Sequence, residues 1–218
     1  MVHRFSHVNV WIFDLDNTLY PPSARLFDQI EVKMTDYVMR ALGVSREEAD
    51  EMRARYWREY GTTLAGLMDR HGIDPLAYLA DVHDISFASL TPDPALAAEI
   101  DALPGRKIVF TNGDAPYARK VLAARGLDQV LPDVHGVEHT DFIPKPERAA
   151  YEKVLSDAGI DPREAAMFED DPRNLAVPHD MGMQCVLIAP PQPPAAHLHW
   201  QTEDLHGFLQ QLNTKVFA

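Results

Sequence analysis

Four short stretches of the chain gather residue types that can do chemistry. Asp14 and Asp16 stand one residue apart in FDLDNT, at the end of the apolar run 8–13. Thr111, Asn112 and Gly113 end a second apolar run, Lys145 sits between Pro144 and Pro146, and Glu169, Asp170 and Asp171 end a third. Carboxylates crowded at the end of a buried strand raise one another's pKa and repel unless a cation neutralises them. Several converging carboxylate oxygens suit a hard cation, above all Mg²⁺, which keeps waters and shares a substrate phosphate. Zinc is disfavoured, because neither acidic cluster carries Cys or a paired His at ligand spacing. A lone Asp-x-Asp pair is weak evidence in an acidic chain; its place after a buried run gives it weight.

TNGD alone would suit a hairpin turn, but a helical pattern follows it. Asp114 can cap that helix and Pro116 falls in its first turn. Thr111 and the N–H groups around Asn112 and Gly113 then lie near a positive helix end, where a phosphate is welcome. Lys145 would pass for a surface lysine were it not held between two prolines, the second expected to open a helix.

Placing these groups together requires a scaffold. Runs 8–13, 107–111, 165–169 and 184–188 are nearly continuous in apolar residues, as in parallel strands covered on both faces. Between them lie helical patterns at 115–125, 146–158 and 174–181, each followed by glycine. This alternation predicts a doubly wound, Rossmann-like α/β sheet, in which ligands bind outside the carboxyl ends of the strands. From about residue 22 to 92 only helical periodicity is present: Leu26, Ile30, Met34, Tyr37, Val38 and Ala41, then Ala49, Met52 and Tyr56. Ser45 and Glu48 form a capping-box pattern for the second of these helices. The expected organisation is an α/β core from 1–20 and 93–218, with TPDP at 91–94 marking the return to the sheet, and a helical cap at 21–92. A proline-rich connector at 189–194, a short strand near 198–200 and a helix over 203–212 complete the chain.

Bulk properties narrow the partners. The 218 residues are 46% hydrophobic without an apolar run long enough for a membrane helix. Twenty Lys and Arg against thirty-three Asp and Glu give −13, which argues against nucleic acid or an acidic membrane surface and leaves a small anionic metabolite. The opening residues lack a signal-peptide pattern, and a single cysteine, Cys185, forms no internal disulfide, so a cytoplasmic location is expected.

DLDNT, TNG, the lysine of KP and EDD resemble the four motifs of the haloacid dehalogenase superfamily, in its order and rough spacing, over nearly the whole chain. The helical insertion resembles the cap of one large subgroup, and WREYGTTLAGLMDRHGIDP together with FDLDNTLYPP resembles the pyrimidine 5′-nucleotidase branch. The resemblance implies Asp14 as a nucleophile forming an aspartyl-phosphate and Asp16 as general acid and base, its main-chain carbonyl also reaching Mg²⁺. It further implies Thr111, Asn112 and Gly113 around the phosphoryl oxygens, Lys145 offsetting charge on Asp14 and the phosphoryl group, and Asp170 as metal ligand with Glu169 beside or behind it. Tyr60, Thr62 and Thr63, a helix-to-helix link by local chemistry, would face the aspartates and meet a nucleoside. Asp171 and Asp114 depart from the usual pattern and are placed outside the direct contacts.

The implied activity is a Mg²⁺-dependent phosphomonoesterase acting on pyrimidine nucleoside monophosphates. A sugar-phosphate or phosphoglycolate phosphatase and a phosphomutase are the near alternatives. A metal-free dehalogenase is disfavoured by Asp16 and the EDD cluster, and a non-catalytic binding protein by the presence of all four motifs.

Overall fold

The structure, a computed structural model, describes residues 2–216. A short helix α1 (Val2–Phe5) leads into β1 (Val10–Phe13), whose four residues are all buried. The helices α2 (Leu26–Leu42), α3 (Arg46–Tyr60), α4 (Thr63–His71) and α5 (Pro75–Val82) follow before the chain returns through α6 (Pro94–Ala102) to β2 (Arg106–Phe110). Thereafter strands and helices alternate: α7 (Ala115–Arg125), β3 (Asp133–His135), α8 (Arg148–Ala158), β4 (Ala165–Glu169), α9 (Ala176–Met181), β5 (Gln184–Ile188), β6 (Trp200–Thr202) and α10 (Leu205–Val216). The sheet has six strands in the order β3-β2-β1-β4-β5-β6, all parallel. This is the expected doubly wound α/β fold.

Strand order fixes where a ligand can sit. From β1 the chain builds outward through β2 and β3, then crosses to the other side for β4, β5 and β6. The carboxyl ends of β1 and β4 therefore flank the switch point, where helices diverge and leave a crevice. Alternation along β1 divides the core: Trp11 and Phe13 join one apolar cluster with Val109 and Phe168, while Val10 and Ile12 join another with Ile108 and Phe110. Full burial of each such side chain stabilises by roughly 1.5–3 kcal/mol, so β1 is pinned from both faces and its carboxyl end is a rigid mount.

Several local expectations are borne out in detail. The boundaries of α7, β4 and β5 coincide with the apolar and helical patterns. Ser45 accepts from the Glu48 N–H while Glu48 accepts from the Ser45 N–H, closing the capping box. Others shift. The TPDP stretch does not lead straight to a strand: Asp93 caps α6, accepting from the Leu96 N–H at 3.0 Å, with Pro94 in its first turn. The turn into β2 then passes Gly105 at φ +76°, where an added Cβ would stand 2.0 Å from the Asn9 carbonyl oxygen. Pro146 does not open a helix; α8 starts at Arg148, and the Lys145-Pro146 peptide is cis. Residues 172–175 are a 3₁₀ turn ahead of α9. Strand β3 escaped the apolar criterion because it is short, at the sheet edge, and only Val134 of its three residues is buried.

Candidate active site

The chain leaves β1 with the Asp14 N–H donating to the Phe168 carbonyl at 2.9 Å, so Asp14 still belongs to the ladder with β4. Leu15 and Leu19 are fully buried and anchor the turn that follows, in which Asn17 takes φ +60°. That left-handed conformation is tolerated by asparagine, and Asn17 Nδ2 donates to Asp170 Oδ2 at 3.3 Å. Asp14 and Asp16 both line the crevice.

Lys145 joins the acidic clusters. Its Nζ donates to Asp14 Oδ1 at 2.6 Å, to Glu169 Oε2 at 2.7 Å and to the Phe110 carbonyl at 3.0 Å, which uses all three ammonium protons. The side chain is 1% exposed. Burial alone would depress its pKa, but the Asp14 and Glu169 carboxylates outweigh burial and raise it. Its backbone is clamped by Asn112, whose Oδ1 accepts from the Lys145 N–H at 2.8 Å and whose Nδ2 donates to the Lys145 carbonyl at 3.1 Å. The Asn112 side chain therefore positions Lys145; this occupies its Oδ1 and one of its two Nδ2 protons, and the residue still lines the cavity. Thr111 is buried, its Oγ1 accepting from the Gly113 N–H at 3.0 Å.

One lysine does not neutralise this site. Burial, then the neighbouring Glu169, pushes Asp14 up to about 8. Burial, then Asp14 and Glu169, pushes Asp170 up to about 9. Asp16 is raised too, chiefly by burial, against the opposing effect of its hydrogen bonds. Those bonds come from Tyr20 and Tyr117, whose hydroxyls both donate to Asp16 Oδ1, at 2.6 and 2.5 Å. Tyr117 is braced in turn by His83, stacked on its ring at 4.2 Å, with His83 Nδ1 3.2 Å from Asp114 Oδ1. Asp114 also caps α7 through the Tyr117 N–H. The cap is the expected one, and Asp114 anchors His83 as well.

Asp171 lies next to Asp170 yet serves differently. Arg173 grips it through both carboxylate oxygens, down to 2.6 Å, and lays its guanidinium 3.5 Å over the Trp57 ring of α3. Asp14, Asp16, Lys145, Glu169 and Asp170 border a cavity of about 670 Å³ closed on its other side by α2, α3 and α5. The link between α3 and α4 comes down onto it: a Cβ on Gly61 would sit 3.3 Å from the Lys145 carbonyl oxygen. Thr62 and Thr63 line the cavity, although Thr62 Oγ1 already accepts from the Ala65 N–H as the cap of α4. Tyr60 does not line it. Four residues after Tyr56 it shares that residue's helix face, and its ring packs edge-on against Tyr56 at 5.8 Å.

Comparison with known proteins decides the family. A model of haloacid dehalogenase-like hydrolases matches residues 8–182. The chain belongs to that family. Among curated relatives of this hydrolase, Phosphate metabolism protein 8 of Saccharomyces cerevisiae is 25% identical over 194 residues, covering 82% of this chain and 60% of the yeast protein. Validoxylamine A 7'-phosphate phosphatase of Streptomyces hygroscopicus subsp. limoneus is 29% identical over 194 residues, covering 81% of this chain and 84% of its own. Among solved structures, a HAD phosphatase from Thermococcus onnurineus superposes with TM-score 0.62 at 20% identity, over 95% of this chain and 97% of that one, a likeness of fold.

The hydrolase's acidic residues fit a divalent cation. Asp14, Glu169 and Asp170 each offer a carboxylate oxygen, and these atoms lie within 4.8 Å of one another. Three hard oxygen donors, buried or half-buried, with one ammonium among them, form a donor set that a hard cation completes. The sequence motifs pointed to Asp14, Asp16, Thr111, Lys145 and the acidic clusters. They gave no hint of Tyr20, Tyr117, His83, Trp57 or Arg173. Only Tyr20, four residues beyond Asp16, was within reach of a local argument.

Proposed function

We propose that this chain is a Mg²⁺-dependent phosphomonoesterase. The observation that carries the proposal is the geometry of Lys145, which holds Asp14 and Glu169 at 2.6 and 2.7 Å on the wall of a cavity of small-molecule size. Asp14 attacks phosphorus, and its new O–P bond forms as the bond to the leaving oxygen breaks. Asp16 donates its proton to that oxygen, for which its raised pKa suits it. Water then attacks the aspartyl-phosphate, gives its proton to Asp16, and releases Asp14 and inorganic phosphate. Lys145 and the Asn112 N–H, near the positive end of α7, face the phosphoryl charge, with Thr111 and Gly113 beside them. Asp14, Asp170 and the Asp16 carbonyl would hold Mg²⁺, with Glu169 beside them; the ion supplies charge neutralisation for the phosphate and the carboxylates.

On this proposal α2 to α5, within 21–92, act as a cap over the core and the protein works in the cytoplasm. The substrate we favour is a pyrimidine nucleoside 5′-monophosphate, supported by the resemblance at 57–75. A sugar-phosphate substrate is the second reading, favoured by the relative that acts on validoxylamine A 7'-phosphate. A screen of nucleoside monophosphates and sugar phosphates, with Mg²⁺ or a chelator, tests both. Turnover of UMP or CMP ahead of AMP, lost on chelation, is expected. Absence of phosphate release from any substrate would overturn the proposal.

A further inference from the structure

The insert side of the cavity carries two polar groups that the phosphoryl chemistry leaves unused. Tyr78, on α5, is 2% exposed and its hydroxyl has no hydrogen-bond partner within the protein. Arg53, on α3, has a buried Nε that is likewise unpartnered. Both residues line the same cavity as Asp14 and Lys145. A buried donor without a partner destabilises the free protein, so two of them on one cavity wall mark a place that a ligand completes.

The rest of Arg53 is fixed in place. Its Nη1 donates to Thr35 Oγ1 at 2.6 Å and approaches Asp50 Oδ1 at 3.4 Å, and its Nη2 lies 3.6 Å from Glu31 Oε1. Thr35 Oγ1 donates onward to Asp50 Oδ1 at 2.6 Å. One guanidinium thus faces two carboxylates, so Arg53 has no spare positive charge for a further anion while still offering a donor. Ile30, Met34 and Leu79 supply apolar surface beside them.

Resting on the phosphomonoesterase proposal, we infer that Arg53 and Tyr78 form a leaving-group subsite for a neutral moiety bearing an acceptor oxygen, a carbonyl or hydroxyl, and against a carboxylate. A nucleoside base and a sugar both meet that description; phosphoglycolate does not.

The test compares kcat/KM for UMP, a hexose phosphate, phosphoglycolate and p-nitrophenyl phosphate in the wild type and in Tyr78→Phe, with thermal unfolding of both proteins. UMP or the hexose phosphate should exceed phosphoglycolate at least tenfold. Tyr78→Phe should lower the ratio of that preferred substrate to p-nitrophenyl phosphate by about tenfold, as for one lost hydrogen bond in the complex. Whichever of UMP and the hexose phosphate loses more identifies a base carbonyl or a sugar hydroxyl as the acceptor. Its Tm should stay level or rise, because the free protein loses no partner. A ratio unchanged by Tyr78→Phe, a Tm lowered by several degrees, or a preference for phosphoglycolate would overturn the inference while leaving the phosphomonoesterase proposal standing. Failure of the wild type on every phosphomonoester would overturn both.

Discussion

Asp14 and Asp16 are two positions apart and equally acidic in sequence, yet they occupy opposite electrostatic settings. Asp14 shares a buried ammonium with Glu169 and lies near Asp170, so its surroundings consist of full charges in excess of one sign. Asp16 is held by two neutral phenols, themselves packed against His83 and the apolar core. The first setting leaves three carboxylates around one ammonium; in the second, two phenols meet one carboxylate oxygen. Burial and then the excess negative charge around Asp14 favour its protonated form, whereas the two phenols, as donors, favour the charged form of Asp16 against the burial that opposes it. Two electrostatic settings are thereby separated across a single intervening residue.

The charged setting depends most directly on Asp14. Asp14→Asn should abolish turnover, since the amide is nearly isosteric but no nucleophile. It should leave the metal-free protein at least as stable as wild type, because one of the repelling carboxylates is gone. A folded variant with near-normal single-turnover rates would show that the nucleophile lies elsewhere. Chelation of the wild type should likewise stop turnover, with Mg²⁺ restoring it.

Asp16→Asn should act more selectively. Loss of a general acid typically reduces rate by ~10²–10⁴-fold, and the reduction should be greatest for a nucleoside alkoxide and least for p-nitrophenolate. Equal losses on UMP and p-nitrophenyl phosphate, measured in the phosphoryl-transfer step, would remove Asp16 from the acid role. Tyr117→Phe sharpens the same contrast more gently. Deleting one of the two phenol donors raises the Asp16 pKa further, and the basic limb of the pH–rate profile should move upward with a loss of about tenfold in kcat. An unmoved profile would mean that the phenol merely packs.

The smallest effect concerns stability. Asp14 and Asp170 have folded pKa values raised to about 8 and about 9, above their ordinary unfolded value of 3.8. The folded state therefore binds more protons than the unfolded state over that interval, and stability falls as pH rises through it. Between pH 5 and 8 the chelated protein should lose Tm by roughly 3 °C per pH unit for each excess proton, whereas Mg²⁺ should flatten the slope. Scanning calorimetry with chelator and with Mg²⁺ would read the difference directly, and parallel slopes would count against the carboxylates as the shared site.

Legibility of the fold followed burial. β4, β5 and α7 were bounded correctly because their apolar or helical periods begin and end sharply, with α7 flanked by Asp114 and Gly126. β3 was missed because an edge strand buries little, and α6 because TPDP carries a proline that serves equally well in a turn or at a helix start. For the site, the motifs located the acidic clusters and Lys145, while the Asn112 side-chain bonds to the Lys145 backbone and the packing of Tyr60 away from the cavity were not legible. Tyr60 follows Tyr56 into the insert.

By itself the sequence determined which residues end up at strand ends and helix starts, since those follow from spacing over a few residues: a period of two, a cap, a glycine. It thus determined that acidic groups and a threonine stand at the mouths of parallel strands, and that a lysine is constrained between two prolines. Which of them meet was decided by the tertiary structure alone. Lys145 reaches Asp14 across 131 positions and Tyr117 reaches Asp16 across 101, contacts created by the strand order that sets β1 between β2 and β4. Asp170 and Asp171 are identical in type and adjacent in sequence; in the turn after β4 one lies toward Asp14 and the other is held by Arg173 and the insert. Local spacing carries no information about a partner a hundred residues away, because that partner is selected by packing, and packing is a property of the assembled sheet.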